Sequence, residues 1–431
     1  MATMRKGPKK NRGGLYAALD VGSSKICCMI AREERDAQSE EPLARVIGIG
    51  QQVSRGVKAG AVVDMEAAEI AILNAVHAAE QMAGETLDQV VVNLSGGFPA
   101  SRIVPVEVNI DGHEVTNEDL RRARGRGHQI EGVSGQPEKG RQLIHSIPTS
   151  YSIDGSRGIR DPRGMYGERL GVNMHIITAA TGPVRNLGTC IQRCHLDIGR
   201  FVVSSLAASR GSLVEDEKEL GVTLIDMGGG TTSICVFFEG SPLFTDVVPV
   251  GGQHVTNDIA RGLSTNLNHA ERLKALHGHA IVSHADEHDL IDVPLMGEED
   301  SGHSHQVPRS LLVGVIQPRL EEVFELVRSR LEASGFDKIG GRRVVLTGGA
   351  SQLSGIRELA SLILDKQVRI GKPIQIKGLP EATSGPAYAT CSGLLGYALM
   401  AETDVPPEAR RQPAEAAGLV GRIGHWLREH F

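Results

Sequence analysis

The run Asp226-Met-Gly228-Gly229-Gly230-Thr231-Thr232 puts one carboxylate, three residues without side chains and two hydroxyls into a single turn. Three glycines let the backbone come close to a large anion and aim several N–H groups at it. The threonines add hydroxyl donors, and Asp226 is placed to hold a divalent cation or a metal-bound water. A second run, Asp20-Val-Gly22-Ser23-Ser24-Lys25, repeats the design with hydroxyls and an ammonium suited to phosphate oxygens. A third glycine turn, Thr347-Gly348-Gly349-Ala350-Ser351, follows the apolar Val344-Val-Leu. Together these describe phosphate chemistry, with Asp20 and Asp226 converging on Mg²⁺ between phosphate oxygens. A P-loop is excluded, because the Gly371-Lys372 pair is followed by Pro373. A dinucleotide fold is not expected either, since no G-x-G-x-x-G follows a strand.

Each turn needs rigid flanks. Asp226–Thr232 lies between Gly-Val-Thr-Leu-Ile (221–225) and Ser-Ile-Cys-Val-Phe-Phe (233–238), and Asp20–Lys25 between similar apolar runs. Both read as strand–turn–strand, and their wide separation implies a duplicated domain rather than a solenoid. A helix is expected over 64–82, capped by Asp64, with Ile70, Leu73, Val76 and His77 on one face. The character changes over 88–172, which reads as a small α+β insertion. It has strands at Val90–Leu94 and Ile103–Ile110 and a basic stretch at 120–128. A buried strand at 173–180, a helix at 182–196 and a strand at 200–204 precede a helix at 205–219. The acidic end of that helix, Glu215, Asp216, Glu217 and Glu219, reads as solvated. Beyond the second turn a helix begins at Gln253, and Glu271 and Lys274 share a helix face, within reach of one ligand. An amphipathic helix spans 309–334 and another spans 386–400. The implied domains are a basic tail (1–14), a first domain (15–87 and 173–215) and a second domain (216–400) with a small subdomain near 258–315. A linker (401–417) and a terminal helix (418–431) complete the chain.

In that terminal stretch Leu419, Val420, Ile423, Trp426, Leu427 and Phe431 form one apolar stripe with basic residues beside it. Following a Pro- and Glu-rich linker, such a helix reads as a membrane-interface anchor. Composition fits a folded chain of 431 residues with 40% hydrophobic and 23% charged residues, which is too long for one core. A net charge of −6 gives no bulk attraction to nucleic acid. The arginines at 121, 122, 124 and 126 lack interleaved aromatics and read as a solvated or protein-contacting face. Six scattered cysteines read as reduced thiols, and the histidines from His277 to His305 as a polar loop. No run is long enough to cross a membrane.

The set D-x-G-S-S-K (20–25), D-M-G-G-G-T-T (226–232), A-E-x-x-K (270–274) and L-T-G-G-A-S (346–351) resembles the actin/Hsp70/sugar-kinase superfamily. Asp154-Gly155, Asp161-Pro-Arg-Gly164, the 215–221 run, Val248-Pro-Val-Gly251 and the terminal helix narrow the resemblance, over about 15–431, to the bacterial FtsA cell-division family. The resemblance implies an α/β, actin-like two-domain ATPase fold with a small inserted subdomain. It implies ATP and Mg²⁺ as cofactors, with Gly22–Lys25 and Gly228–Thr232 at the phosphates, Glu271 and Lys274 at the nucleoside, and Gly348 and Gly349 in support. It further implies filaments of the chain itself on the cytoplasmic side of the inner membrane at the division site. These would tether the tubulin-like FtsZ and recruit later division proteins. The C-terminal peptide of FtsZ would dock near 258–315, where Arg309 and Arg319 suit an acidic partner.

One departure limits the chemistry. Actins carry a water-positioning Gln about seventeen residues before the second turn's Asp; that position here is Ser209, and Ser233 replaces the usual Asp after Thr-Thr. Nucleotide binding is expected; at most weak hydrolysis follows. Two other readings share the cleft. A soluble small-molecule kinase would need a catalytic base and a substrate pocket, for which the sequence offers no clear candidate. A pilus- or secretion-associated adaptor would not need the terminal helix.

Overall fold

Two β-hairpins of matching design sit at the centres of two separate sheets. The computed structural model describes residues 14–34, 43–133, 140–297, 304–374 and 376–399. The basic tail up to residue 13, the linker and the terminal helix, with Leu419 through Phe431, lie outside the described residues. The first hairpin, Leu15–Val21 with Lys25–Glu34, pairs Asp20 with Cys27 across its antiparallel ladder. The second, Val222–Met227 with Thr232–Phe238, pairs Asp226 with Ser233 and Met227 with Thr232. Near-continuous β-branched and apolar runs make both hairpins buried central strands.

The first sheet has the order Asp197–Val203, Gln89–Leu94, Leu15–Val21, Lys25–Glu34, Leu43–Val53, Ile376–Lys377. The second runs Ser241–Val248, Thr232–Phe238, Val222–Met227, Arg343–Thr347, Gln367–Ile370. One apolar core, with Leu19, Met29, Ile72 and Leu394, extends to Leu224, Cys235 and Val345 of the second sheet, and a second core holds Ile225, Ile234, Phe324 and Leu346. The chain returns to the first domain at its end, where the helix Ala389–Leu399 buries Cys391, Leu394 and Leu395 in the first core.

The insertion is a four-stranded antiparallel sheet, Ala100–Asn109, Arg169–Ala180, Arg141–Ile153 and Ser156–Ile159, with the helix Asn117–Val133 against it. Val106, Leu170, Met174 and Ile176 form its core. Two strands at its expected edges fall elsewhere. Gln89–Leu94 pairs in parallel with the first hairpin and with Asp197–Val203, so it belongs to the first sheet. The strand expected at 173–180 begins at Arg169 and pairs on both sides within the insertion.

Three further expectations change. The helix Met65–Ala83 buries Ala68, Ala71, Ile72, Ala75, Val76 and Ala79, while Ile70 and Leu73 face outward. The reason is close approach: a Cβ at Gly48 or Gly50 would strike the helix backbone at Ala79 or Ala75, so only alanines fit where the helix crosses that strand. The helix expected over 205–219 divides into Ser204–Ser212 and Glu215–Leu220. Its acidic end is not wholly solvated, because Glu217 is buried and takes Arg369 Nε at 2.6 Å and Nη2 at 2.5 Å. That bidentate pair holds the Glu217 carboxyl below its ordinary value despite the opposing effect of burial. The long helix Arg309–Ser334 matches its expected span and ends at Gly335, whose φ of 75° suits a glycine cap.

Candidate functional site

The two hairpin turns meet face to face. A Cβ on Gly229 would lie 2.6 Å from Ser24 Oγ, and one on Gly230 would overlap Ser23 Oγ. Only glycine lets the second turn approach the first this closely. A segment between Arg55 and Val63 supports the junction: Gly60 N donates to Ser23 Oγ at 2.9 Å, and the Ala59 N–H lies against Gly230. On the far side, Val21 N donates to Asn93 Oδ1 at 2.7 Å, while Asn93 Nδ2 donates to Ser204 Oγ at 3.2 Å. Asn93 therefore carries the first sheet's hydrogen bonding past the end of the hairpin strand and fixes where the turn begins. A polar residue ending the run Val-Val-Val-Asn93 was the signal for it.

Asp20 and Asp226 are both buried at this junction, one from each sheet. Burial pushes Asp20 up to about 6, against the lowering field of Lys25. Asp226 is pushed up to about 7 by burial and by the Asp20 charge, opposed by a hydrogen bond from Thr390 and by Lys25. Two carboxyls crowded out of water are destabilised as anions and gain most from a cation between them. Gly348 closes the other side, since a Cβ there would lie 2.5 Å from Asp226 Oδ1. Among the described residues no three His, Cys, Asp or Glu side chains converge on a metal position, so such a cation would need oxygens from elsewhere. Phosphate oxygens and water are the usual source for Mg²⁺. A glycine cradle with two buried carboxyls fits a Mg²⁺–polyphosphate. Gly22 N and Gly228 N are bonded within their own turns to Lys25 O and Thr231 O, so the N–H groups of Ser23, Ser24, Gly229 and Gly230 would face its oxygens, with Asp20 and Asp226 at its cation.

Some expected donors are committed elsewhere. Thr232 Oγ1 donates to Val250 O at 2.8 Å, so its proton is used within the chain. Thr231 remains buried in the turn. Lys25 Nζ donates to Ala387 O at 2.7 Å and sits 3.6 Å from the centre of the Tyr388 ring. Its charge reaches both acids, and one of its three N–H donors is taken by the 386–388 turn. Ser209 is fully buried and donates to Ser205 O at 2.6 Å, so its side chain serves the helix interior and does not offer a water-positioning group.

Glu271 and Lys274 come together as the helix spacing requires. Lys274 Nζ bonds Glu271 Oε2 at 2.7 Å, Thr256 Oγ1 at 2.8 Å and Gly252 O at 3.1 Å, and Thr256 Oγ1 donates to Glu271 Oε2 at 2.5 Å. This cluster stands at the start of the helix Gly252–Gly262, whose Gly252 and Gln253 N–H groups bond Gly228 O and Gly229 O. The pair is thus one hydrogen-bonded step from the glycine turn. Gly348 begins the turn Gly349–Gln352 and donates to Pro386 O at 3.2 Å. An open groove of about 880 Å³ lies beside it, lined by Lys25, Gln51, Ser351, Arg357, Lys372 and Tyr388. Arg309 and Arg319, both on the helix Arg309–Ser334, are engaged with acids of this chain. Arg309 Nη1 meets Asp286 Oδ1 at 3.0 Å, and Arg319 Nε meets Asp258 Oδ2 at 2.5 Å. An acidic peptide there would have to compete with them.

The model of the family described as cell division protein FtsA matches residues 223–393, and that of the SHS2 domain inserted in FTSA matches residues 96–178. The chain is 44% identical to the cell division protein FtsA of Agrobacterium fabrum, over 97% of this chain and 96% of that protein. Against the protein of the same description from Escherichia coli K12, identity is 32% over 97% of this chain and 98% of that one. Among solved structures, the PilM–PilN type IV pilus biogenesis complex is similar with a TM-score of 0.61. That match covers 90% of this chain and 99% of that one at 16% identity, and bears on fold alone. The architecture is the actin-like two-domain α/β fold carrying an inserted SHS2 domain.

Proposed function

The chain belongs to the FtsA family of cell-division proteins, and from that premise we propose that it is an ATP-binding scaffold that tethers the tubulin-like FtsZ to the membrane. In this reading Mg²⁺ and ATP lie between the two glycine–serine turns, joining the first and second domains. Copies of the chain assemble into filaments, and the apolar stripe from Leu419 to Phe431 holds them on the cytoplasmic face of the inner membrane. FtsZ docks through its C-terminal peptide on the small subdomain near 258–315, and later division proteins are recruited at the same place. The observation that carries the nucleotide half is the buried pair Asp20 and Asp226 at the meeting point of two glycine turns. Slow hydrolysis is part of the proposal, since Ser209 is committed to the core of its helix.

Sedimentation with vesicles containing anionic lipid tests the whole reading. The full chain should pellet with vesicles more extensively when Mg²⁺ and ATP are present. A chain ending before Gly418 should still bind ATP and remain in the supernatant. Equal pelleting of the shortened chain would refute the membrane assignment.

A further inference from the structure

We propose that Thr390 is a positioning residue of the nucleotide site: its hydroxyl, on the last helix of the first domain, holds the Asp226 carboxylate of the second domain in place for the cation. The inference rests on the reading above that the two acids face Mg²⁺ and ATP.

Thr390 Oγ1 donates to Asp226 Oδ2 at 3.0 Å, and both side chains are buried. Among the described residues this is the one hydrogen-bond donor to that carboxylate. The bond spans 164 positions of sequence and joins the last helix of the first domain to a central strand of the second sheet. The helix that carries Thr390 is fixed to the first hairpin by the next residue, whose Cys391 Sγ lies 3.6 Å from Cys27 O and 3.9 Å from Ala18 O. Cys27 is the ladder partner of Asp20. Two adjacent residues of one helix therefore register both acid-bearing hairpins, one through backbone carbonyls and the other through a carboxylate oxygen.

The chemistry explains why a hydroxyl is needed. Asp226 is out of water, and the nearby ammonium of Lys25 is bonded to Ala387 O. A buried carboxylate with no donor would turn toward whatever polar group it could reach. Thr390 occupies one oxygen, and the close approach of Gly348 confines the other, so the free lone pairs keep one direction. A helix-buried threonine commonly bonds the carbonyl one turn back. Here the preceding turn is the 3₁₀ segment Pro386–Tyr388, and the hydroxyl proton goes to the acid.

The test uses the full chain and the Mg²⁺ concentration that gives half-maximal binding of a fluorescent ATP analogue, together with the thermal midpoint without nucleotide. Thr390→Val keeps the shape and removes the donor; it should raise the Mg²⁺ requirement about tenfold. Thr390→Ser restores the donor and should restore the wild-type requirement. Should the valine variant fail to fold, Thr390→Cys, with its weak thiol donor, takes its place in the series. An unchanged Mg²⁺ requirement in Thr390→Val overturns the proposal. So does a serine variant that behaves like valine, or analogue binding weakened equally at every Mg²⁺ concentration. Failure of the wild-type chain to bind the analogue with Mg²⁺ would overturn the nucleotide reading itself, and this proposal with it.

Discussion

Replacing Asp226 by asparagine should stabilise the nucleotide-free protein and at the same time remove its response to Mg²⁺ and ATP. Burial and the neighbouring Asp20 push the Asp226 carboxyl from its usual 3.8 up to about 7. An acid whose folded value is raised binds more protons in the folded state than in the unfolded one over that interval. Stability is therefore intact near pH 4 and declines as pH rises toward 7, after which it levels. A rise of that size corresponds to a penalty of about 4 kcal/mol above pH 7. Asparagine has no charge to bury, and its carbonyl can still accept from Thr390. Burying its amide costs about 1–2 kcal/mol, which leaves a net gain of about 2–3 kcal/mol at pH 8 and little at pH 4.5. Urea unfolding across pH 4.5–8, with chelator and without nucleotide, reads the difference directly. The two midpoints should diverge as pH rises. Adding Mg²⁺ and ATP at pH 8 should then raise the midpoint of the wild type and leave the variant where it was. A pH-independent gap, or a variant less stable than wild type at pH 8, would refute the argument that these acids are strained by burial. An equal ligand response in both proteins would refute their role at the cation.

Three more substitutions probe separate parts of the frame. Gly229→Val brings its Cβ within 2.6 Å of Ser24 Oγ, where ordinary contacts begin at 3.4 Å; it should cost about 1–3 kcal/mol and abolish ATP binding in a filter assay. Arg369→Ala strips Glu217 of its bidentate partner, and because the arginine is partly exposed the loss should be about 1–2 kcal/mol. The folded Glu217 carboxyl is depressed, so that contribution is present above its unfolded value and disappears as pH falls through the folded one. Denaturation followed downward from pH 7 should show the gap between the two proteins shrinking as the medium is acidified. His175 is fully buried with neither ring nitrogen bonded among the described residues, and burial pushes it down to about 3. Neutral burial of this kind gives full stability above the unfolded value of 6.5 and loses it as pH falls toward 3. His175→Leu should gain about 1–2 kcal/mol at pH 7 and flatten the acid limb between pH 6 and 4, as followed by circular dichroism.

Much of the frame was legible because its signals are local. Asp–Gly turns between β-branched runs announced both hairpins, and the apolar repeat of 309–334 gave the long helix at its observed bounds. Glu271 and Lys274 meet because helix geometry alone brings residues three apart together. What escaped depends on contacts between distant segments. The alanine face of Met65–Ala83 is buried because two glycines on a neighbouring strand permit close approach, and no period within the helix encodes that. Glu217 looked like part of a solvated run until Arg369 supplied its partner from 152 positions away. Thr232 carries the right chemistry for phosphate, yet Val250 O takes its proton, and Ala387 O takes one of the three that Lys25 offers. Thr390, in an apolar helix, carried no spacing signal toward Asp226.

The central claim is that two turns from two domains make one nucleotide site, and calorimetric titration of the full chain with ATP in Mg²⁺ tests it most directly. The account predicts one ATP per chain, with binding lost on Asp226→Asn and lost again on Gly229→Val. No heat of binding in the wild-type chain, or wild-type affinity in both variants, would contradict it.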